Sequence, residues 1–362
     1  MQIGIDATSV LLRSAGIKSY TYHWIEHLRR VAAADDEILA FPYLRDWGPL
    51  THERSVISAL STYPRLALLY FVNAPGNPAL DWIARKFDVF HVSNQIRRRP
   101  RGTKITATVH DLTCWLMPEL HTAANVRADQ SFAENILKPA DKLIAVSANT
   151  KADAVRILGV RPDKIEVIHS GVPQAFFDAR PPRVGKPYVL YVGTIEPRKN
   201  LDTLLDAWCG MKPEFREAFD LVIAGATGWS SERTLARLQS GLPGVRYLGY
   251  VAEEALPELT ASAAVFAYPS LYEGFGFPVA QAMAAGVPVI TSNTSCLPEI
   301  AGDGALLVDP RSAAEITSAL EALLASEELR QRLGERGRER AQRYRWEACA
   351  RASLEFFRGV SD

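Results

Sequence analysis

Short apolar runs alternate with longer amphipathic stretches along almost the whole chain of 362 residues. Several of these runs are hydrophobic at consecutive positions, as expected for parallel strands that helices cover on both faces. In the first half the predicted strands are Ile3–Asp6, Ile38–Tyr43, Leu66–Phe71, Val89–Ser93, Ile105–Val109, Leu143–Val146 and Ile165–Ile168, with helices at Ile17–Ala33 and Asn149–Leu158.

The same alternation restarts in the second half of the chain. The predicted strands are Tyr188–Val192, Leu221–Ala224, Val245–Leu248, Val265–Tyr268, Pro288–Thr291 and Ala305–Val308, and the helices are Leu201–Met211, Ser231–Gln239, Glu253–Ala263, Gly276–Ala285 and Ala313–Ala325. Two βαβ series of similar size predict an α/β protein with two doubly wound, Rossmann-like parallel-sheet domains. Ligands are then expected beyond the carboxyl ends of the strands, in a cleft that the two domains face.

Pro182 and Gly185 interrupt the pattern between the two series and predict a linker over 171–185. The first domain is therefore expected at 1–170 and the second at 186–345. Residues 327–362 are charged, have a helical pattern and contain no further strand. The last helix, 346–362, is expected to cross back to the first domain.

Composition and charge narrow the functional class. Lys and Arg together number 41, as do Asp and Glu, so no global charge draws the chain to nucleic acid. Four scattered cysteines (Cys114, Cys209, Cys296, Cys349) are interpreted as buried thiols in a reducing compartment. The first residues lack the basic segment of a signal peptide, and the uncharged stretch 274–298 carries prolines and glycines that suit a buried helix and strand. We expect a cytoplasmic protein without a membrane span.

The most informative loop follows the predicted strand Val265–Tyr268. It carries the acidic residue Glu273 and then Gly274 and Gly276, which allow close approach of the backbone as a helix begins. Free N–H groups at a helix start suit a phosphate or a sugar hydroxyl, and Glu273 would accept bonds from ligand hydroxyls. An ordinary helix cap is the alternative interpretation.

Two further loops follow strands in the same way. Gly193 allows a turn, and Arg198 and Lys199 place two cations beside a helix that starts near Asn200, which suits a diphosphate. His110 ends the strand Ile105–Val109. The alternatives are a solvated turn for the cations and a core position for the histidine. No second histidine stands at ligand spacing from His110 and no Asp-x-Asp occurs, so no metal site is predicted there.

These segments resemble the retaining glycosyltransferases of family 4, which have the GT-B fold. The resemblance is carried by Glu273-Gly274-Phe275-Gly276-Phe277-Pro278, Ala282-Met283-Ala284 and Gly286-Val287-Pro288-Val289. It implies sugar transfer from a nucleotide diphosphate sugar to a glycan or lipid-linked hydroxyl, with no cofactor and no metal. The segment TIEPRKN at 194–200 is most similar to subgroups of the family that often use GDP-mannose, and a UDP-sugar is the other possible donor. The resemblance also implies bacterial polysaccharide or lipopolysaccharide assembly as the context.

The resemblance also assigns roles to residues. Glu273 would hold sugar hydroxyls, His110 would orient the sugar, and Arg198 and Lys199 would stabilise the departing diphosphate. The donor-binding positions implied by the resemblance are Gly16, Gly193, Thr194, Tyr250, Val251, Gly274, Phe275, Gly276 and Gln281.

Three of these positions depart from the family pattern. The second motif glutamate is Gln281, which keeps a carbonyl acceptor but loses the charge that strengthens a bond to ribose hydroxyls. The arginine that usually follows Gly193 is Thr194, and the paired glycines of the first loop are reduced to Gly16.

The sequence gives less information about the acceptor than about the donor. Arg97, Arg98, Arg99 and Arg101 form a basic run between two strands, which is either a solvated loop or a patch facing anionic lipid. Contact with the inner face of the membrane is therefore one hypothesis.

Two other functions stay open at this point. A nucleotide-sugar-binding GT-B protein that has lost transferase activity would explain Gln281. A nucleotide-sugar epimerase or dehydrogenase is the third class, but the G-x-G-x-x-G expected of a dehydrogenase after the first strand is absent.

Overall fold

The computed structural model describes residues 1–14, 16–180 and 185–361. The chain forms two compact units. The first unit comprises Met1–Gly171 and the C-terminal helix, and the second unit comprises Val172–Arg345. The chain therefore passes between the units twice, at 171–172 and at 345–346.

The first unit is built on a six-stranded parallel sheet in the order β2-β1-β3-β4-β5-β6. Ile3 of β1 lies opposite Ile38 on one side and Val89 on the other, so strand order reverses between β1 and β3. The strands are β1 Gln2–Asp6, β2 Glu37–Phe41, β3 Val89–Val92, β4 Lys104–Val109, β5 Lys142–Ala145 and β6 Ile165–Val167. Its helices are α1 Gly16–Val31, α2 Ala59–Val72, α3 Ala79–Ala84, α4 Thr113–Leu116, α5 Ala123–Phe132 and α6 Ala148–Leu158.

One strand prediction in this unit is wrong. The segment 66–71 lies inside α2, which begins after Ser58, where the Ser58 side chain accepts a hydrogen bond from the Ser61 N–H. A six-residue apolar run has the same composition in a buried strand and in a half-buried helix, so its periodicity does not separate the two. The cap at Ser58 is the local signal that favours the helix.

The second unit has another six-stranded parallel sheet, in the order β12-β11-β10-β7-β8-β9. This is the strand order of dinucleotide-binding folds, with the reversal between β7 and β10. The strands are β7 Tyr188–Val192, β8 Asp220–Ala224, β9 Val245–Gly249, β10 Val265–Tyr268, β11 Val289–Ser292 and β12 Ala305–Val308. Two doubly wound α/β units were predicted from the sequence, and the fold class is confirmed.

The helices of the second unit are α7 Gln174–Asp178, α8 Leu201–Gly210, α9 Pro213–Ala218, α10 Glu232–Gln239, α11 Leu256–Ala261, α12 Phe277–Ala284, α13 Leu297–Ala301, α14 Ala313–Ala325 and α15 Glu327–Ala341. Helix α7 lies within the segment predicted as a linker, and it buries Phe176 and Phe177. Residues 181–184 of that segment, with Pro182, lie outside the described residues.

The last helix, α16 Trp346–Ser361, packs against α1 in the first unit. The Trp24 indole N–H donates to Ser353 Oγ at 2.9 Å, and Trp346 lies edge-on to Tyr20.

Two expectations about the chain as a whole concern membranes and cysteines. Among the residues that the structure describes, no helix has the length and apolar character needed to cross a bilayer. All four cysteines are free thiols. Cys209 is exposed rather than buried as predicted, because it lies in the last turn of α8 and outside the set of residues that this helix buries.

Candidate functional site

The reversal of strand order in the second sheet places two polar loops side by side. β7 and β10 are paired neighbours, so the loops that follow them leave the same edge of the sheet. The first loop carries Arg198 and Lys199 in a 3₁₀ turn, and the second carries Glu273. In doubly wound sheets this switch point is where ligands bind.

The structure joins the three predicted residues directly. Lys199 Nζ donates to Glu273 Oε1 at 2.6 Å, and Arg198 Nη1 donates to Glu273 Oε2 at 3.1 Å. Arg198 also donates to the Tyr272 carbonyl at 2.7 Å. Each of the three side chains is 13% exposed or less, so the ion pairs are largely shielded from water.

Three neighbours complete this arrangement and were not predicted. Tyr268 OH and Ser270 Oγ donate to Glu273 Oε1 at 2.9 and 2.7 Å. Glu196, only 6% exposed, accepts from Arg198 Nη2 at 2.8 Å. We call Glu196, Arg198, Lys199 and Glu273 the ionic cluster. Their positions in the sequence were the available signal, because Ser270 stands two residues after the end of β10 and Glu196 stands two residues before Arg198.

The charge state of Glu273 follows from opposing effects. Burial disfavours the ionised carboxylate, but Lys199, Arg198 and the donated hydrogen bonds outweigh it and lower the pKa of Glu273 to about 2. The carboxylate is therefore ionised at neutral pH. Oε1 already receives three protein donors whereas Oε2 receives one, so Oε2 has the spare acceptor capacity for a ligand hydroxyl.

Local backbone geometry fixes the two loops. Asn200 adopts a left-handed conformation (φ 58°), and its Nδ2 donates to the carbonyls of Pro269 and Pro310 at 2.9 and 2.6 Å. Gly276, with φ 83°, precedes α12, and a Cβ there would come within 2.7 Å of Leu297. The first bond ties the cation loop to the end of β10, and the glycine lets α12 begin against α13.

The other predicted positions in this loop differ in what they contact. Phe275 is buried, with its ring edge-on to Phe277 and Tyr344, so its side chain belongs to the packing of the second unit. Gly274 is buried beside Glu273. Gln281 lies half-buried on α12, one turn after Phe277.

Two more loops at the same sheet edge carry the remaining donor predictions. The Gly193 N–H, just after β7, donates to the Ala224 carbonyl at 2.9 Å, and Thr194 beside it is half-buried. Tyr250 and Val251 follow β9, and the Tyr250 side chain is 40% exposed. These residues therefore share the carboxyl edge of the second sheet with the ionic cluster.

His110 and Gly16 belong to the first unit. The half-buried His110 ring follows β4 and lies edge-on to Tyr20, with the ring centres 4.8 Å apart. Burial lowers the pKa of His110 to about 4, against the opposite effect of Asp111. Gly16 is the exposed first residue of α1, and a Cβ there would meet no atom. The fold of the first unit does not itself require a glycine at that position.

A buried histidine beside His110 gives the first unit a pH-dependent stability. His91 is 4% exposed and contacts Thr106 and Thr108, and burial with the charge of His110 lowers its pKa to about 3. An unfolded histidine titrates near 6.5, so the unfolded state binds more protons below that pH. Native stability should therefore fall as pH drops from 6.5, by roughly 2 kcal/mol at pH 5 for His91.

Urea unfolding at pH 7 and pH 5 measures this effect. The loss on acidification should be smaller in His91→Gln than in the parent chain, because glutamine does not titrate. Equal losses in the two proteins would show that His91 is not the group responsible.

The first unit also contains a cavity that sequence analysis missed. It has a volume of about 1000 Å³ and lies between the loop after β1, the segment 44–58 and the start of α2. Its lining includes Arg13, Trp47, Glu53, Arg54, Tyr63 and Arg65. The mixture of cations, hydroxyls and aromatic rings suits a polar, hydroxyl-rich ligand.

A buried lysine holds two walls of this cavity together. Lys18 is fully buried, and its Nζ donates to the carbonyls of Leu12 and Arg54 at 2.8 and 2.6 Å. Burial lowers the pKa of Lys18 to about 8. The part of the chain that the structure describes contains no group of three or more His, Cys, Asp or Glu side chains able to hold a metal ion.

Comparison with known families covers both units. The family model described as "Glycosyltransferase Family 4" matches residues 15–176, and the one described as "Glycosyl transferases group 1" matches 174–340. The O-antigen chain mannosyltransferase B of Escherichia coli is 31% identical over 270 residues, which cover 71% of each chain. This chain is a family 4 glycosyltransferase.

Other relatives of the glycosyltransferase are matched over a smaller part of their length. The MMP alpha-(1->4)-mannosyltransferase of Mycolicibacterium hassiacum is 32% identical over 60% of this chain and 54% of its own length. A D-inositol 3-phosphate glycosyltransferase of Nocardioides is 30% identical over 67% of this chain and 62% of its own.

Solved structures agree on the fold. Sucrose-phosphate synthase from Thermosynechococcus elongatus has a TM-score of 0.76 at 21% identity, and the match covers 99% of each chain. Anabaena Alr3699/HepE, solved with UDP and glucose, has a TM-score of 0.70 at 16% identity, again over 99% of each chain. At these identities the likeness shows the GT-B fold of the glycosyltransferase and nothing further.

Proposed function

We propose that this glycosyltransferase moves a hexose-type sugar from a nucleotide diphosphate sugar to a hydroxyl of a glycan or lipid-linked acceptor. The proposal includes retention at the anomeric carbon and no metal requirement. The observation that carries it is the ionic cluster, in which two cations and Glu273 meet at the switch point of the second sheet. The second unit would accordingly bind the donor.

The arrangement suits a reaction whose leaving group is a diphosphate. When the bond from the anomeric carbon to the phosphate oxygen breaks, negative charge grows on the diphosphate, and Arg198 and Lys199 would stabilise it. The acceptor oxygen would attack from the same face, and its proton would pass to the departing phosphate oxygen. Glu273 Oε2 would accept from a sugar hydroxyl and His110 would orient the sugar, so the protein acts by positioning and electrostatics.

Several relatives favour mannose as the sugar. Mannosyltransferases of Escherichia coli and Mycolicibacterium are among the similar proteins, which supports GDP-mannose over a UDP-sugar as the donor. Two of these relatives are an O-antigen chain mannosyltransferase and a serotype-specific mannosyltransferase, which supports a surface polysaccharide as the acceptor. The cavity of the first unit has the size and the polar lining that such an acceptor would need.

A thermal-shift titration with GDP, UDP, GDP-mannose and UDP-glucose, with and without EDTA, tests the donor site. GDP-mannose at 100 times its Kd should stabilise the protein by about 2.7 kcal/mol. EDTA should not change the shift, because protein cations rather than a metal would face the diphosphate. Arg198→Ala/Lys199→Ala should weaken binding by at least about 100-fold, since it removes two charge-assisted contacts.

The matched control is Lys186→Ala/Arg246→Ala. Both residues pair with Asp220 near the amino ends of β7, β8 and β9, so this variant removes the same charge from the opposite edge of the same sheet. It should bind GDP-mannose normally. A shift that EDTA abolishes would contradict metal independence, and equal losses in both double variants would contradict the assignment of Arg198 and Lys199.

Product analysis separates transfer from binding alone. NMR of the product of GDP-mannose and an acceptor glycan should show the α-anomer of the donor. Nucleotide binding without any transfer would favour a glycosyltransferase that has lost catalysis, for which Gln281 is the supporting feature.

A further inference from the structure

Helix α2 exposes a continuous apolar face. Leu60, Tyr63, Tyr70 and Phe71 are 90, 71, 83 and 56% exposed, and Ala67 lies between them on the same face. The spacing of three, four, three and one residues places them in one stripe along the helix. We call these five residues the α2 stripe.

The opposite side of α2 is anchored, so the stripe is held in place. Thr62 is buried and its Oγ1 donates to Ser55 Oγ at 2.7 Å, while Arg65 Nη2 donates to the Tyr43 carbonyl at 3.3 Å. At the far end, Asn73 Nδ2 donates to the Gln95 carbonyl at 2.9 Å. The helix therefore presents its apolar face as a fixed surface.

The basic run predicted from the sequence lies next to the stripe. The Arg97 N–H donates to Asn73 Oδ1 at 2.9 Å, directly after α2. Asn77 donates to the Phe71 carbonyl and accepts from Arg98, which also pairs with Asp81. Trp82, the next residue, is 63% exposed.

The charge of this region differs from that of the chain. Residues 59–104 contain eight Lys or Arg and two Asp, a formal charge of +6 in a chain whose total is zero. Arg98 and Arg99 are committed to ion pairs with Asp81 and Asp141, whereas the side chains of Arg97 and Arg101 are exposed. The sequence alone did not distinguish these two pairs of arginines.

We propose that the α2 stripe, with Trp82, Arg97 and Arg101 beside it, docks on an anionic lipid bilayer. Tyr, Trp, Phe and Leu beside cations are the composition of helices that lie in the membrane interface, where rings insert and cations meet lipid phosphates. A second copy of the chain fits less well, because two regions of charge +6 would repel each other.

The position of α2 links this surface to the acceptor. Tyr63 belongs to the stripe and also lines the cavity, together with Thr62, Arg65 and Leu66 of the same helix. The inference rests on the proposed function in one respect, the lipid-linked nature of the acceptor. A glycan on a membrane lipid would then enter the cavity from the side that meets the bilayer.

Co-sedimentation of the full chain with phosphatidylcholine vesicles, with and without phosphatidylglycerol, tests the surface. The parent chain should bind the vesicles that contain phosphatidylglycerol, and Leu60→Glu/Tyr70→Glu should weaken this binding at least about tenfold. The matched control is Leu248→Glu/Leu307→Glu, which adds the same charge at two residues of the second unit that are each 41% exposed. The control should bind like the parent.

A second variant tests the contribution of the two exposed arginines to vesicle binding. Arg97→Ala/Arg101→Ala should lower affinity for the anionic vesicles by roughly tenfold or more, at about 1 kcal/mol for each cation, and should reduce its salt dependence. Equal losses in the α2 variant and its control would overturn the proposal, as would absent vesicle binding in a protein that still binds the nucleotide. A dimer without lipid that only Leu60→Glu/Tyr70→Glu dissociates would assign the stripe to self-association instead.

Discussion

Glu273→Gln is expected to reduce sugar transfer by at least about 100-fold while the bare nucleoside diphosphate binds more tightly. The loss of transfer follows from the role proposed for Oε2 as an acceptor for a sugar hydroxyl. The amide of glutamine offers one oxygen, which cannot serve Lys199, Tyr268 and Ser270 and also the ligand.

The gain in diphosphate binding follows from the charge of the ionic cluster. Glu196 and Glu273 neutralise Arg198 and Lys199, so the cluster has a formal charge of zero before any ligand arrives. A diphosphate must compete with these carboxylates for the two cations. Replacing Glu273 raises the cluster charge to +1, and GDP affinity should rise by about tenfold at low salt, since partly buried charges a few ångströms apart interact by a few kcal/mol.

Isothermal titration of GDP and a steady-state transfer assay measure the two effects separately. Glu196→Gln is the matched control, because it makes the same charge change while Glu196 contacts only Arg198 within the cluster. It should also tighten GDP binding but should retain much more transfer activity than Glu273→Gln. Equal loss of transfer in both variants would mean that Glu273 is only a counter-ion and has no contact with the sugar.

The parallel sheets were predictable because buried parallel strands are apolar at consecutive positions. The 66–71 run shows the limit of that rule. Leu66, Leu68 and Leu69 are half-buried against the first unit, whereas Tyr70 and Phe71 face solvent, and composition alone does not reveal which side a helix covers. The exposed stripe is therefore a property that only the three-dimensional structure displays.

The candidate site, like the fold, was predictable only in part from the sequence. Arg198, Lys199 and Glu273 could be proposed because each follows a strand, and their contact depends on β7 and β10 being neighbours although 75 residues separate Arg198 from Glu273. Tyr268 was predicted only as the last apolar residue of its strand. Its ring is buried in the sheet while its hydroxyl reaches Glu273, a double role that a hydrophobic pattern does not separate.

Removing residues 346–362 is expected to prevent the first unit from folding. Helix α16 buries eight of its residues: Trp346, Cys349, Ala350, Ser353, Leu354, Phe356, Phe357 and Val360. Exposing its large apolar side chains costs about 1.5–3 kcal/mol each, which together approaches or exceeds the stability of a typical domain. The deletion would also expose Trp24 and Tyr20 of α1. The truncated chain should accumulate as insoluble protein.

Point variants keep this prediction measurable in soluble protein. Phe357 is fully buried, with its ring 5.9 Å from that of Trp24 and 5.8 Å from that of His91, so Phe357→Ala should cost about 3–5 kcal/mol. Glu355→Ala, on the exposed side of the same helix, should change stability by less than about 0.5 kcal/mol.

The two places where the chain passes between the units explain why the first unit needs helix α16. A Cβ at Gly171, the last residue before the chain enters the second unit, would lie 2.4 Å from Trp346 Cα, the first residue after it returns. The two crossings are therefore in contact, and α16 closes the first unit at the point where the chain left it. Urea unfolding of Phe357→Ala should show a selective loss in the first unit, with nucleotide binding to the second unit retained. Loss of both together would mean that the two units unfold as one.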